Sequence, residues 1–259
     1  MFEEKLDSFD ALQGIVARLR APDGCPWDRK QTHNSLKPYM LEECYEAMEA
    51  LDEGDSQKLC EELGDLMLEI ALHTQIATEA GEFRMEDVLR GINAKLVHRH
   101  PHVFGDAEVK DAREVAFKWE ELKSEERKEG ESILAGVPKQ MPALAASQSI
   151  QRRAAQVGFD WRDIEGPVEK LAEEVTELKE TTNHQERVHE LGDLLFALVN
   201  VARWLDIDAE EALRLANERF RYRFGYIEER CRQRNVLPSS LSLEELDTLW
   251  EEAKNLVED

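Results

Sequence analysis

The chain has 259 residues, of which 34% are charged and 42% hydrophobic, and its formal net charge is −23. That length accommodates one large domain or two of ordinary size. A surface this acidic repels nucleic-acid backbones and anionic membranes, so neither is expected as a partner, while a small anionic ligand carried by a bound cation remains admissible.

Glycine and proline are sparse, at 13 and 8, and the helix formers Leu, Ala, Glu and Arg dominate, so the reading is all-α. The chain opens Met1-Phe-Glu-Glu, without the basic and apolar regions of a secretion signal. No apolar run approaches the roughly 20 residues of a membrane span. Cys25, Cys44, Cys60 and Cys231 form neither a CxxC pair nor a disulfide framework, and a reducing, cytoplasmic setting is expected. The first breaker cluster, 21–26, runs into Gly24-Cys-Pro-Trp-Asp28, which predicts a loop with Trp27 packed and Asp28 able to cap a helix.

Helical periodicity follows. In a predicted helix over 57–80, Leu63, Met67 and Ile70 share one face. Pro101, among His98, His100 and His102, predicts a helix end and loop rather than a metal site. Residues 130–142 combine Gly130, Gly136, Pro138 and Pro142 and read as a linker. A third breaker cluster spans 158–167. In a predicted helix over 185–205, Leu191, Leu194, Leu195, Leu198 and Val201 share one face.

An internal repeat organises the whole chain. Leu41-Glu-Glu-Cys-Tyr-Glu46 and Glu61-Glu-Leu-Gly-Asp65 return as Ala172-Glu-Glu-Val-Thr-Glu177 and His189-Glu-Leu-Gly-Asp193. Asn93–Arg99 returns as Asn217–Arg223, and Lys118-Trp-Glu-Glu-Leu-Lys123 as Leu249-Trp-Glu-Glu-Ala-Lys254. The offset is 131 for Glu43/Glu174 and Trp119/Trp250, 128 for Asp65/Asp193 and 124 for Arg99/Arg223. Two homologous helical-bundle domains are therefore expected over 1–130 and 142–259, joined by a linker over 131–141.

Each half carries ExxE on one helix and ExxD on the next. The sets are Glu43, Glu46, Glu62 and Asp65, then Glu174, Glu177, Glu190 and Asp193. Residues three apart share a helix face, so two antiparallel helices can aim four carboxylates at one point. All-oxygen donors of this kind suit hard cations such as Mg²⁺ or Mn²⁺. Any one ExxE in so acidic a chain reads more readily as a solvated face; recurrence of the ordered set is what favours a site. Gly64 and Gly192 each cost about 1 kcal/mol relative to alanine inside a helix, which predicts close approach of another helix or a ligand there. A carboxylate-bridged di-iron bundle needs ExxH on two helices, and no leading acid here has a histidine three residues on.

Together with Gly24-Cys-Pro-Trp-Asp28, Arg99-His-Pro-His-Val-Phe104, Val157-Gly-Phe-Asp-Trp161 and Ala216-Asn-Glu-Arg-Phe220, these acid sets resemble the tandem-domain form of the MazG family, nucleoside triphosphate pyrophosphohydrolases of the all-α NTP pyrophosphatase superfamily. The resemblance covers essentially the whole chain. It implies Mg²⁺-dependent cleavage between the α- and β-phosphates, broad base tolerance and a homodimer.

On that resemblance, Glu174, Glu177, Glu190 and Asp193 are expected to hold Mg²⁺, and Glu173 or Glu174 to orient the attacking water. Lys170, one helical turn before Glu174, and the i,i+4 pair Arg219 and Arg223 are expected to reach phosphate, with Trp250 stacking on the base. Each also has a plainer reading, as a surface ion pair, an exposed basic helix and a core tryptophan. The first half has Lys95, Arg99 and Trp119 as counterparts, but Tyr39 stands where Lys170 stands. The second domain is therefore expected to be the stronger catalyst, with the first binding metal, acting weakly or serving dimerisation. The alternatives are a pyrophosphohydrolase narrowed to a deoxy or damaged nucleotide, and a non-catalytic nucleotide sensor.

Overall fold

The computed structural model describes residues 6–112, 114, 115, 118, 119, 122 and 132–256. The chain divides into two compact units, Met1–Glu126 and Arg127–Asp259. Among the described residues there are ten α-helices and no strand.

The first unit begins with α1 (Phe9–Arg20), whose Ser8 hydroxyl accepts the Ala11 amide. A short 3₁₀ turn (Asp28–Lys30) leads to α2 (His33–Glu53), where Thr32 and Ser35 cap each other's amides. Gly54, left-handed at φ 66°, ends α2, and the Asp55 carboxylate immediately caps α3 (Ser56–Ala80) by accepting the Gln57 and Lys58 amides. A two-residue turn forces α2 and α3 to run antiparallel in contact, the arrangement that brings ExxE beside ExxD. Gly81, at φ 72°, stops α3 before α4 (Met85–Arg99) and the single turn α5 (Pro101–Phe104). The core under this pair is Val16, Leu36, Ala71 and Leu72, packed by Leu12, Leu68 and Ile76.

Arg20 ties this core to the loop. Its buried guanidinium donates to Glu79 at 3.0 and 2.8 Å and to the carbonyls of Asp28 and Gln31 at 2.5 and 3.2 Å. Arg20→Ala would orphan two carbonyls and a carboxylate, and is expected to destabilise the first unit by about 2–4 kcal/mol in urea unfolding. Hydrogen bonds from Arg20 hold the Glu79 carboxyl below the usual glutamate range. That share of stability is present above the ordinary value of 4.5 and fades as pH falls through the lowered one.

The second unit repeats the plan. Its helices are α6 (Ala143–Gln156), α7 (Glu165–Glu180), α8 (His184–Trp204), α9 (Ala209–Gln233) and α10 (Leu243–Asn255). α7 pairs with α8, α6 packs on α8, and α9 pairs with α10 around Ile227, Cys231 and Leu249. Asn183, Asp208 and Ser242 cap α8, α9 and α10 with side-chain oxygens. Arg153 donates to the carbonyls of Ile133 and Ala135, which draws the segment after residue 131 onto this unit.

Three expectations meet a different structure. Trp27 is 55% exposed, set edge-on to Tyr39 rather than packed, and Asp28 opens the 3₁₀ turn while Thr32 caps α2. A Cβ added at Gly64 or Gly192 would meet nothing within 4 Å, so close packing within either unit does not explain those glycines. Gly24 is the position where close approach rules, since a Cβ there would fall 2.2 Å from the Leu19 carbonyl oxygen. The shared apolar faces also lie open: Leu63, Met67 and Ile70 on α3, and Leu191, Leu195 and Leu198 on α8, are all exposed. The core instead takes the neighbouring face of α3, through Leu68, Leu72 and Ile76.

Candidate active site

In the second unit, ligand atoms of Glu174, Glu177 and Glu190 lie within 4.8 Å of one another. The acids come from α7 and α8, as the helix pairing requires. Glu174 is the buried member, only 4% exposed, and its Oε2 has no hydrogen-bond partner. Its Oε1 accepts from Lys170 Nζ at 2.8 Å, and Lys170 also reaches Glu173 at 3.0 Å. These two bonds, Glu174's first, hold the Lys170 ammonium firmly protonated. Burial, then the charge of Glu174, pushes the Glu177 carboxyl above its ordinary value.

Asp193 is placed differently. Its Oδ2 lies 3.1 Å from His189 Nδ1, and His189, Glu190 and Asp193 form a second group within 4.8 Å. His189 stands directly before Glu190 in sequence, but only the turn of α8 shows that its ring swings over Asp193.

The first unit answers with Glu43, Glu62 and Asp65 inside 4.8 Å. Burial, followed by Asp65 and Glu46, raises the Glu43 carboxyl, and burial, followed by Glu46, raises that of Glu62. Glu46 adds its charge to the crowding on both Glu43 and Glu62. One turn beyond Asp65, Glu69 is buried as well, its carboxyl raised by desolvation and then by Glu43 and Asp65. It was not anticipated from the sequence, although it continues the face of Glu62 and Asp65 at i+7.

An all-oxygen donor set that gathers like charges, with one buried oxygen unpartnered, fits a hard divalent cation. Carboxylates about 4 Å apart repel by about 4 kcal/mol per pair at an effective dielectric near 20, and a cation reverses that sign.

The structure groups Arg219, Arg223 and Trp250 on α9 and α10, while Lys170 stands with the acids on α7. Arg223 stacks over the Trp250 ring at 5.5 Å, and Phe220 meets the same ring at 5.1 Å. Trp250 also packs on the core of Ile227, Cys231 and Leu249. Arg219 and Arg223 line a depression of about 380 Å³ with Glu218 and Tyr222. The first unit repeats the pairing, with Arg99 over Trp119 at 5.6 Å.

A further cavity, of about 620 Å³, opens between α6, residues 157–161 and α8. Phe196 and Asn200, which follow Asp193 on α8, line it with Phe159, Trp161 and Gln151. Gln151 is buried; its Nε2 donates to the Phe196 carbonyl at 2.8 Å, while its Oε1 has no partner. Gln148, one turn earlier, is satisfied at both ends by the Ile207 carbonyl and the Ala209 amide. Asp160 at the rim is locked by Arg203 at 2.5 and 2.9 Å and by Trp204 at 3.2 Å. Burial pushes the Asp160 carboxyl up, but the Arg203 bonds prevail and hold it below the usual range. The sequence singles out part of this lining, residues 157–161, but not Gln151, because a glutamine's missing partner shows only after packing.

The family model of the MazG nucleotide pyrophosphohydrolase domain matches twice, over residues 31–104 and 163–225. The nucleoside triphosphate pyrophosphohydrolase/pyrophosphatase MazG of Thermotoga maritima is 47% identical over 247 residues, 95% of both chains. The nucleoside triphosphate pyrophosphohydrolase of Escherichia coli K12 is 40% identical over 257 residues, 96% of this chain and 98% of the relative. Uncharacterized protein YabN of Bacillus subtilis is 48% identical over 259 residues, but the match spans only 53% of YabN. A doubled all-α domain with a carboxylate cluster in each half, in this company, defines an enzyme of the nucleotide pyrophosphohydrolase class. The chain belongs to the MazG family.

Proposed function

We propose that the protein hydrolyses nucleoside triphosphates, ribo- and deoxy-, to the monophosphate and pyrophosphate, with Mg²⁺ as cofactor and little regard for the base. The reading is supported by the names and full-length similarity of the Thermotoga and Escherichia relatives. The observation that carries it is the buried Glu174 with an unpartnered oxygen inside a carboxylate group on paired helices.

A divalent ion held by Glu174, Glu177, Glu190 and Asp193 would supply charge neutralisation along the triphosphate and on the departing pyrophosphate. The chain's own residues do the rest. Glu173 or Glu174 accepts a proton from the attacking water while its oxygen bonds to the α-phosphorus. The α–β anhydride bond breaks, and pyrophosphate leaves with the bonding electrons. Lys170, one turn from both acids, can swing from carboxylate to phosphate oxygen without leaving the site. Arg219 and Arg223 clamp phosphate in this reading, and Trp250 offers a ring face to the base.

The cavity lined by Phe159, Trp161 and Phe196 is a second place for the nucleoside. Aromatic faces accept any base, and the free Gln151 oxygen accepts an N–H, which every base offers. The open apolar faces of α3 and α8 suit a homodimer, since scattered exposure is ordinary but contiguous stripes usually meet a partner. A cytoplasmic location is part of the same proposal. Among the described residues no helix is long and apolar enough to cross a membrane.

Product analysis tests this reading. Incubation with each common nucleoside triphosphate and Mg²⁺ is expected to give monophosphate and pyrophosphate in equal amounts, with kcat/KM values spread by no more than about tenfold. Diphosphate with orthophosphate would contradict the bond assignment. A preference of about a thousandfold for one base would favour the narrower enzyme, and tight binding without turnover the sensor. Gln151→Leu is expected to raise KM severalfold with kcat little changed.

A further inference from the structure

In the first unit, Glu69 Oε2 and His73 Nε2 are buried without a hydrogen-bond partner. Both belong to α3, four residues apart, where side chains are neighbours. Glu69 is only 6% exposed. The His73 ring is held from its other edge: its Nδ1 lies 2.7 Å from His33 Nδ1, and the two rings stack at 5.0 Å with 7° between their planes. One of these nitrogens must donate. With the proton on His73 Nδ1, Nε2 is a bare lone pair, the tautomer of a metal-binding imidazole whose second nitrogen is engaged. Asp65 and Glu62 precede Glu69 on the same face by four and seven residues, and Glu43 comes within 4.8 Å of both from α2. At the offset of 128 that relates Asp65 to Asp193, Ala197 and Val201 stand where Glu69 and His73 stand. The pair is therefore additional to the apparatus the two halves share.

We propose that Glu69 and His73 form a divalent-metal position in the first unit, beside the Glu43–Glu62–Asp65 group, and that its mixed nitrogen and oxygen donors take a first-row transition ion such as Mn²⁺ or Zn²⁺ over Mg²⁺. Imidazole is a good ligand for those ions and a poor one for Mg²⁺, while the carboxylates balance the charge. The position lies outside the proposed catalytic cluster, so its test does not depend on turnover. A water bridging the two atoms would satisfy them as well, so the measurement must detect nitrogen on the metal.

The full chain, stripped of metal, is titrated with Mn²⁺ in excess Mg²⁺. Tight equivalents are counted by electron paramagnetic resonance, and spin-echo modulation reports coupling to ¹⁴N. The wild type is expected to show nitrogen coupling, His73→Phe to lose it, and Glu69→Gln to lose one tight equivalent per chain. His189→Gln removes the other imidazole beside carboxylates, and is expected to leave the coupling intact. A wild-type spectrum without nitrogen coupling overturns the proposal, whether or not either variant folds. So does coupling that survives His73→Phe or disappears in His189→Gln, or a Glu69→Gln protein with unchanged stoichiometry.

Discussion

Glu174→Gln is expected to lower kcat/KM by about 10³-fold while leaving the melting temperature unchanged or slightly raised. Glu174 is the most buried acid of the second-unit cluster, and one of its oxygens lacks a partner. In a metal-free fold that is a cost, relieved only on the Lys170 side at 2.8 Å. A neutral amide of the same shape removes a buried charge and eases the crowding around Glu177, whose carboxyl burial and Glu174 push upward. Lys170 keeps its bond to Glu173. Activity and stability should thus separate, which a residue of merely structural importance would not allow. Pyrophosphate release and thermal melting on the same sample check this; a loss of both together would assign Glu174 to the scaffold.

Removing divalent cations has the second large effect. Chelation is expected to abolish turnover, and added Mg²⁺, or Mn²⁺ in its place, to restore it. The folded protein should also register the ion. Glu43, Glu62 and Glu177 have carboxyl groups raised above their ordinary value of 4.5. For a raised acid, the favourable contribution is complete below 4.5 and is lost as pH rises through the higher folded value. As pH rises these groups give up their protons and repel one another more, so a bound cation has more to relieve at higher pH. Saturation at 100 times Kd corresponds to about 2.7 kcal/mol, a shift of several degrees. The Mg²⁺-induced rise in melting temperature should therefore be larger at pH 8 than at pH 5. Equal rises at both values, or turnover that persists in chelator, would contradict a carboxylate-held ion.

Much of the fold was legible because its signals are local. The helix expected over 57–80 is Ser56–Ala80, since Asp55 caps one end and Gly81 turns the other. The helix expected over 185–205 is His184–Trp204, set by Asn183. The acid sets were legible for the same reason, as i,i+3 spacing fixes a helix face before any tertiary contact forms. What escaped depends on which face turns inward and which atoms find partners. Leu63, Met67 and Ile70 make as good an apolar face as Leu68, Leu72 and Ile76, and periodicity cannot say which one α1 covers. Gly64 and Gly192 share a place in the repeat, yet space around them is open and no contact within the units accounts for them. Gln151, Glu69 and His73 differ from ordinary polar residues only in a missing partner. Asp193 was expected with the other acids, and its neighbour His189 takes one of its oxygens.

The difference between the halves is equally local. Tyr39 replaces Lys170, so the first cluster has no ammonium at that turn, and it carries Glu69 where the second unit has alanine. These changes favour the second unit as the catalyst and leave the first with a denser set of metal donors.

Pyrophosphate release from one triphosphate, compared between Glu174→Gln/Glu190→Gln and Glu43→Gln/Glu62→Gln proteins at saturating Mg²⁺, puts this account to its most direct test. The second-unit pair should be inactive within detection, and the first-unit pair should keep most of the wild-type rate. Equal losses from the two pairs, or a surviving rate in the second-unit pair, would contradict it.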